Sequence, residues 1–115
     1  MNLSSAGNYY LYVGPTDMCK SFHGLSGLVQ HSLNRGPGRD EVFCFINRKR
    51  DKLKILQWQG GGFVVWYKRL EEGTFEPFDY AVKQGWIELQ YTELIMLIDG
   101  LSIKNTRKRK RYLPN

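Results

Sequence analysis

Val42-Phe43-Cys44-Phe45-Ile46, Lys52-Leu53-Lys54-Ile55-Leu56-Gln57-Trp58 and Phe63-Val64-Val65-Trp66-Tyr67-Lys68-Arg69-Leu70 are three runs rich in β-branched and aromatic residues, each separated from the next by a short turn. Such runs favour the pleated backbone, and connections this short join antiparallel neighbours, so residues 42–70 read as a β-meander. The first turn carries Arg48-Lys49-Arg50-Asp51 and the second is Gly60-Gly61-Gly62, whose missing side chains permit the positive φ angles of a tight hairpin. A two-residue loop at Gly60-Gly61 pairs Trp58 with Phe63, Leu56 with Val65, Lys54 with Tyr67 and Lys52 with Arg69, all on one face. A three-residue loop instead sets Lys54 opposite Lys68. In both registers the apolar half of the face lies near the glycines, where a helix can cover it, and the other half gathers cations beside the Arg48-Lys49-Arg50 turn.

Upstream, Asn8-Tyr9-Tyr10-Leu11-Tyr12-Val13 reads as a short strand stopped by Gly14-Pro15. Met18, Phe22, Leu25, Val29 and Leu33 then fall on one helical stripe, with Thr16 or Asp17 available as a cap and Gly36-Pro37-Gly38 as the stop. Gly24 and Gly27 inside that stripe point to another backbone passing close by, or to a helix that begins later. Downstream, Glu71-Glu72-Gly73 marks a third turn, Thr74-Phe75-Glu76 a brief return, and Trp86-Ile87-Glu88-Leu89 a late strand. Thr92 is placed to cap a last helix with Leu94, Leu97, Ile98 and Leu101 on one face, Glu93 near its positive end and Gly100 near its stop. The fold expected is α+β: an antiparallel meander packed against an N-terminal helix and a short C-terminal helix.

The 115 residues, 42% hydrophobic and 24% charged, suit a single compact domain, expected over residues 1–103, and exclude a two-domain enzyme. Two cysteines, Cys19 and Cys44, and no signal-peptide pattern after Met1 lead to the expectation of a cytoplasmic protein with both thiols free. No apolar run approaches membrane-spanning length.

The net charge of +6 is unevenly placed. Lys104 and the run Arg107-Lys108-Arg109-Lys110-Arg111 hold six of the 17 bases, which leaves 11 against the chain's 11 acids in the body. Within the body, residues 35–69 are basic and residues 70–103 acidic. The 104–115 segment is expected to be a disordered tail, suited either to contacting a polyanion or merely to solubilising the chain. The cations that the meander gathers allow the same two readings, a phosphate-binding corner or charged protection of a sheet edge. The candidate contacts are Arg48, Lys49, Arg50, Lys52, Lys54, Lys68 and Arg69 with Arg107, Lys108, Arg109, Lys110 and Arg111, the acidic segment facing away.

Catalytic patterns are missing. Gly60-Gly61-Gly62 lies between two strands, so it is a hairpin and not a nucleotide cradle. His23 and His31 stand two helical turns apart and cannot share a metal, and Cys19 with His23 lacks further ligands. The acids show no spacing that fixes an acid/base or two-metal pair. Neither an enzyme nor a cofactor is expected.

Met18-Cys19-Lys20-Ser21-Phe22-His23-Gly24-Leu25-Ser26-Gly27-Leu28-Val29 resembles the opening Met-Arg-Lys-x-Phe-Asp-Gly-Leu-x-x-Leu-Val of a known family. Phe43-Cys44-Phe45-Ile46, Asp51-Lys52-Leu53-Lys54-Ile55-Leu56, Gly60-Gly61-Gly62-Phe63 and Tyr67-Lys68-Arg69-Leu70-Glu71-Glu72-Gly73-Thr74-Phe75 are similar to its later segments. The family is that of the TnpB-type accessory protein (Orf2) of insertion-sequence family sixty-six, and the similarity runs from about Tyr10 to Leu101. Cys19 stands where arginine is usual and His23 where aspartate is usual; the basic tail lies outside the match. The resemblance implies a role in transposition of a bacterial mobile element, with DNA cutting left to a separate transposase, and it carries over no catalytic or ligand residues.

Two functions of different class follow. In the first, the chain is a non-catalytic accessory that grips element-end DNA by phosphate contacts. In the second, it docks on the transposase or another accessory protein of the element without touching DNA, through Tyr9, Tyr10 and Tyr12 or the acidic segment. Phosphate contacts alone leave RNA open as the polyanion.

Overall fold

The computed structural model describes residues 3, 7–76 and 85–100. Their order is β1 (Asn8–Tyr12), α1 (Phe22–Leu33), β2 (Glu41–Ile46), β3 (Lys52–Gln59), β4 (Gly62–Arg69), β5 (Trp86–Leu89) and α2 (Tyr91–Ile98). The expected α+β class and the β2-β3-β4 meander are present, in a five-stranded sheet ordered β4-β3-β2-β1-β5. β1 adds a feature that the strand pattern did not disclose: it pairs parallel with β2, Tyr10 beside Phe43, and antiparallel with β5. A parallel pair needs a crossover, and α1 supplies it. β2 is therefore central and buried along its whole length, which is why Val42-Phe43-Cys44-Phe45-Ile46 is an unbroken apolar run.

The β3–β4 register is that of the two-residue loop, with Lys52 opposite Arg69, Lys54 opposite Tyr67, Leu56 opposite Val65 and Trp58 opposite Phe63. Gly60 and Gly61 have φ of 60° and 91°, a left-handed pair that matches the twist of the strands it joins.

Each face of the sheet has its own helix. On one, Leu25 and Val29 of α1 bury Phe43, Phe45 and Leu56, with Tyr10, Tyr12, Phe22, Phe63, Val65 and Trp86 packed around them. Phe22 stacks on Phe63 with ring centroids 5.3 Å apart, and near its other end α1 takes a 2.8 Å hydrogen bond at Ser32 Oγ from Trp86 Nε1, so the helix spans the sheet from β4 to β5. On the opposite face Leu94 and Leu97 of α2 cover Leu11, Val42, Cys44, Leu53, Ile55 and Leu89. Full burial of a Phe or Leu contributes about 1.5–3 kcal/mol, so the two clusters supply the main drive to fold.

Several local expectations are corrected. α1 begins at Phe22, not Met18, and its N-cap is Ser21 without a side-chain bond. Thr16 is buried under a backbone bond to the Ile46 carbonyl, and Asp17 instead serves a preceding turn, its Oδ1 accepting from Cys19 N at 2.8 Å. α2 is capped by Gln90, which forms a capping box with Glu93, and not by Thr92. Among the described residues the nearest neighbour of Gly24 is the Lys20 side chain, 2.9 Å from where a Cβ would stand, while Gly27 faces open space. Thr74-Phe75-Glu76 forms no strand: Phe75 is a buried plug held by its N–H on the Arg50 carbonyl at 2.6 Å.

Candidate nucleic-acid interface

The β2–β3 turn owes its shape to one side chain. Asn47 Oδ1 accepts from the backbone N–H groups of Asp51 and Lys52 at 3.0 and 2.9 Å, and its Nδ2 donates to Asp51 Oδ1 at 2.7 Å. That closure lifts Arg48 and Lys49 to the tip, where both are exposed and neither forms an ion pair among the described residues; Arg50 takes a positive φ of 61°. Two chain segments lock onto the turn from behind, Leu70 N on the Asp51 carbonyl at 2.8 Å and Phe75 N on that of Arg50. The end of β4 and the start of β3 are thus held beside the turn, and Arg69 comes to face Lys52 across the ladder.

The cations at this corner are steadied in different ways. Lys54 Nζ donates to the Lys20 carbonyl at 2.8 Å and lies 5.8 Å from the centroid of the Tyr67 ring. Lys52 Nζ is 3.3 Å from Asp51, Arg50 Nη1 is 3.1 Å from Glu76, and Arg69 Nε is 3.9 Å from Glu71. The Arg69–Glu71 pair is long and open to water, so it contributes little. Asp51 is held below the usual carboxylate range, first by the Asn47 hydrogen bond and then by Lys52.

Arg48, Lys49, Arg50, Lys52, Lys54 and Arg69 share one corner. Lys68 alternates to the other face, where its Nζ donates to the Ile98 carbonyl at the end of α2, 2.7 Å away. Arg107, Lys108, Arg109, Lys110 and Arg111 lie outside the described residues, as does the rest of the expected tail. The acidic segment does not face away as a block, because Glu71 and Glu76 fold back onto the corner. Lys20, absent from the candidates, meets the group through its backbone carbonyl, which accepts from Lys54, while its side chain runs beside Gly24. Arg35 and Arg39 are elsewhere: Arg35 clasps Glu41, and Arg39 lies 4.5 Å over the Trp58 ring near the glycine hairpin.

Arg48, Lys49, Arg50, Lys52, Lys54 and Arg69 still outnumber the carboxylates of Asp51, Glu71 and Glu76 that pair with them. The surface can therefore attract phosphate groups while its acids limit the repulsion among its own cations. Both histidines are exposed, and the described residues hold no group of three or more metal-ligating side chains. Tyr9, Tyr10 and Tyr12 are committed to packing: Tyr9 is buried with its hydroxyl on the Leu3 carbonyl, Tyr10 stacks on Phe43, and Tyr12 meets Phe45 and Trp86. No helix among the described residues is long and apolar enough to cross a membrane.

The family described as IS66 Orf2 like protein matches residues 7–108. Two proteins of Sinorhizobium fredii (strain NBRC 101917 / NGR234) are similar to the chain. One, uncharacterized protein y4jC, is 28% identical over 95 residues, covering 83% of this chain and 80% of its own length. The other, uncharacterized protein y4hO, is 28% identical over 103 residues, covering 89% and 87%. No solved structure matches.

Proposed function

The chain belongs to the IS66 Orf2-like family of transposition-associated accessory proteins, and from that premise we propose that it acts without catalysis by holding element-end DNA through phosphate contacts. The supporting observation is the cationic corner built by the β2–β3 turn, the start of β3 and the end of β4. A second geometric fact extends it. Gly100, at the end of α2, sits against Leu70, a Cβ there being 3.3 Å from Leu70 Cδ1, and the Ile98 carbonyl holds Lys68. The chain therefore leaves α2 beside the same end of β4, and Arg107 follows Gly100 by a contour of at most about 25 Å. A contour of that length would let corner and basic run engage one stretch of backbone, the second contact gaining from the first by effective concentration. The element's transposase and its other accessory protein are the partners proposed to meet this chain on that DNA.

Binding to element-end DNA over a salt series tests the reading. The log–log slope should be steep, and should fall by about 0.9 for each phosphate contact removed, both in Lys52→Glu/Lys54→Glu/Arg69→Glu and in a chain ended after residue 103. Circular dichroism of each variant confirms the fold. Failure of the intact protein to bind at low salt rejects the proposal. Association with the transposase that survives nuclease treatment and the triple reversal would favour docking without DNA.

A further inference from the structure

We propose that Tyr67 is a stacking platform for an unpaired base, so that the cationic corner prefers single-stranded nucleic acid, or a frayed or looped end, over intact duplex. The inference rests on the phosphate-contact reading above and narrows its ligand.

Among the described residues only Tyr67 and Tyr91 are large hydrophobic side chains left exposed, at 52% and 42%. Tyr91 has an aromatic neighbour, Tyr9, with ring centroids 5.8 Å apart, whereas Tyr67 makes no ring–ring contact among the described residues. Its position explains the difference. α1 covers Phe63 and Val65 on the same face of β4 but not the next residue of that row, so Tyr67 stands where the apolar half of the face gives way to the charged half.

Its surroundings suit a nucleotide. Lys54 is directly opposite on β3, with Lys52 on the diagonal and Arg69 two residues along the same face, which places cations across from the ring and beyond it toward the end of β4, within the spacing of neighbouring strand residues. Lys54 is not free to swing away, since the Lys20 carbonyl holds its ammonium. A flat aromatic beside a row of cations is the arrangement by which proteins track a single strand: charge follows the phosphates and the ring takes a base, whatever the sequence. Bases within a duplex are already stacked and hide their faces, so a duplex could use only the cations.

The test compares a single-stranded oligonucleotide containing 2-aminopurine, in DNA and RNA forms, with the matched duplex, for the wild type, Tyr67→Ala, Tyr67→Phe and Lys52→Glu/Lys54→Glu/Arg69→Glu. Tyr67→Ala should weaken single-strand binding about 5- to 100-fold, abolish the 2-aminopurine quenching, and leave duplex affinity and the salt slope within about twofold. Tyr67→Phe should keep both affinity and quenching. The DNA and RNA forms distinguish the sugar, and equal loss on both still supports stacking. If Tyr67→Ala binds single strand as the wild type does while binding stays salt-dependent, the stacking inference falls and the phosphate reading stands. Equal weakening on single strand and duplex also overturns it, because the ring would then be only a support for Lys54. If the wild type binds neither form at low salt, the phosphate reading itself has failed.

Discussion

Glu41 is a buried carboxylate at the start of the central strand, and its partners are few and close. Arg35 reaches it with both terminal nitrogens, at 2.8 and 2.6 Å, and the Gly38 N–H adds a bond at 2.7 Å. The Arg35 bonds, ahead of the opposing effect of burial, hold its carboxyl below the usual glutamate range. A group whose folded value is depressed contributes stability that is present above its unfolded value, about 4.3, and is lost as pH falls through the lower folded value. Arg35→Ala should therefore cost about 2 kcal/mol at pH 7, read by urea denaturation, and flatten the decline in stability below about pH 4.3; Asp17 and Asp51, also depressed, keep part of that decline in the variant. The two thiols form a second contrast. Cys44 is buried on the central strand, and burial pushes its thiol up to about 12, whereas Cys19 is exposed. A thiol reagent should label one cysteine per native chain and two after unfolding, with Cys19→Ser abolishing the native reaction.

At the scale of elements, the glycines divide by what each backbone requires. Gly60 and Gly61 need left-handed φ with no neighbour within 4 Å of a Cβ, so Ala at either should cost about 1–2 kcal/mol through backbone conformation alone. Inside α1 the sign changes. Gly27→Ala, on an open face, should stabilise by about 0.5–1 kcal/mol, while Gly24→Ala should gain less or lose, because Lys20 Cβ and Cγ stand 2.9 Å from the new methyl. Denaturation midpoints of the four single variants check the order. The pairing of Leu56 with Val65 and Lys54 with Tyr67 was legible in sequence as one of two registers, because one loop length sets the register of a whole hairpin, and the structure takes the two-residue loop. The helix caps were less so, since Ser, Thr, Asp and Gln near a helix start compete for a role that backbone entry angle decides.

On the scale of the whole molecule, the two faces carry different cations for different purposes. Lys68 ties β4 to the end of α2, where the helix presents carbonyl groups and partial negative charge. Lys68→Ala should lower stability by about 0.5–1 kcal/mol and leave the DNA salt slope unchanged. Lys52→Ala should do the reverse, lowering the slope by about 0.9 with little change in unfolding. Cations on neighbouring strands, Lys52 on β3 and Lys68 on β4, are thus distinguished by two measurements.

Local sequence determined the three meander strands, the helical stripe of α1 and the presence of many cations near one turn, and it narrowed the β3–β4 register to two choices, because hydrophobic period and turn length act over a few residues. Tertiary structure alone decided that β1 enters beside β2, that the helices take opposite faces, that Glu71 and Glu76 return to the basic corner, and that the Lys20 carbonyl holds Lys54 there. Those outcomes depend on which distant surfaces bury one another, and contacts of that kind leave no period along the chain.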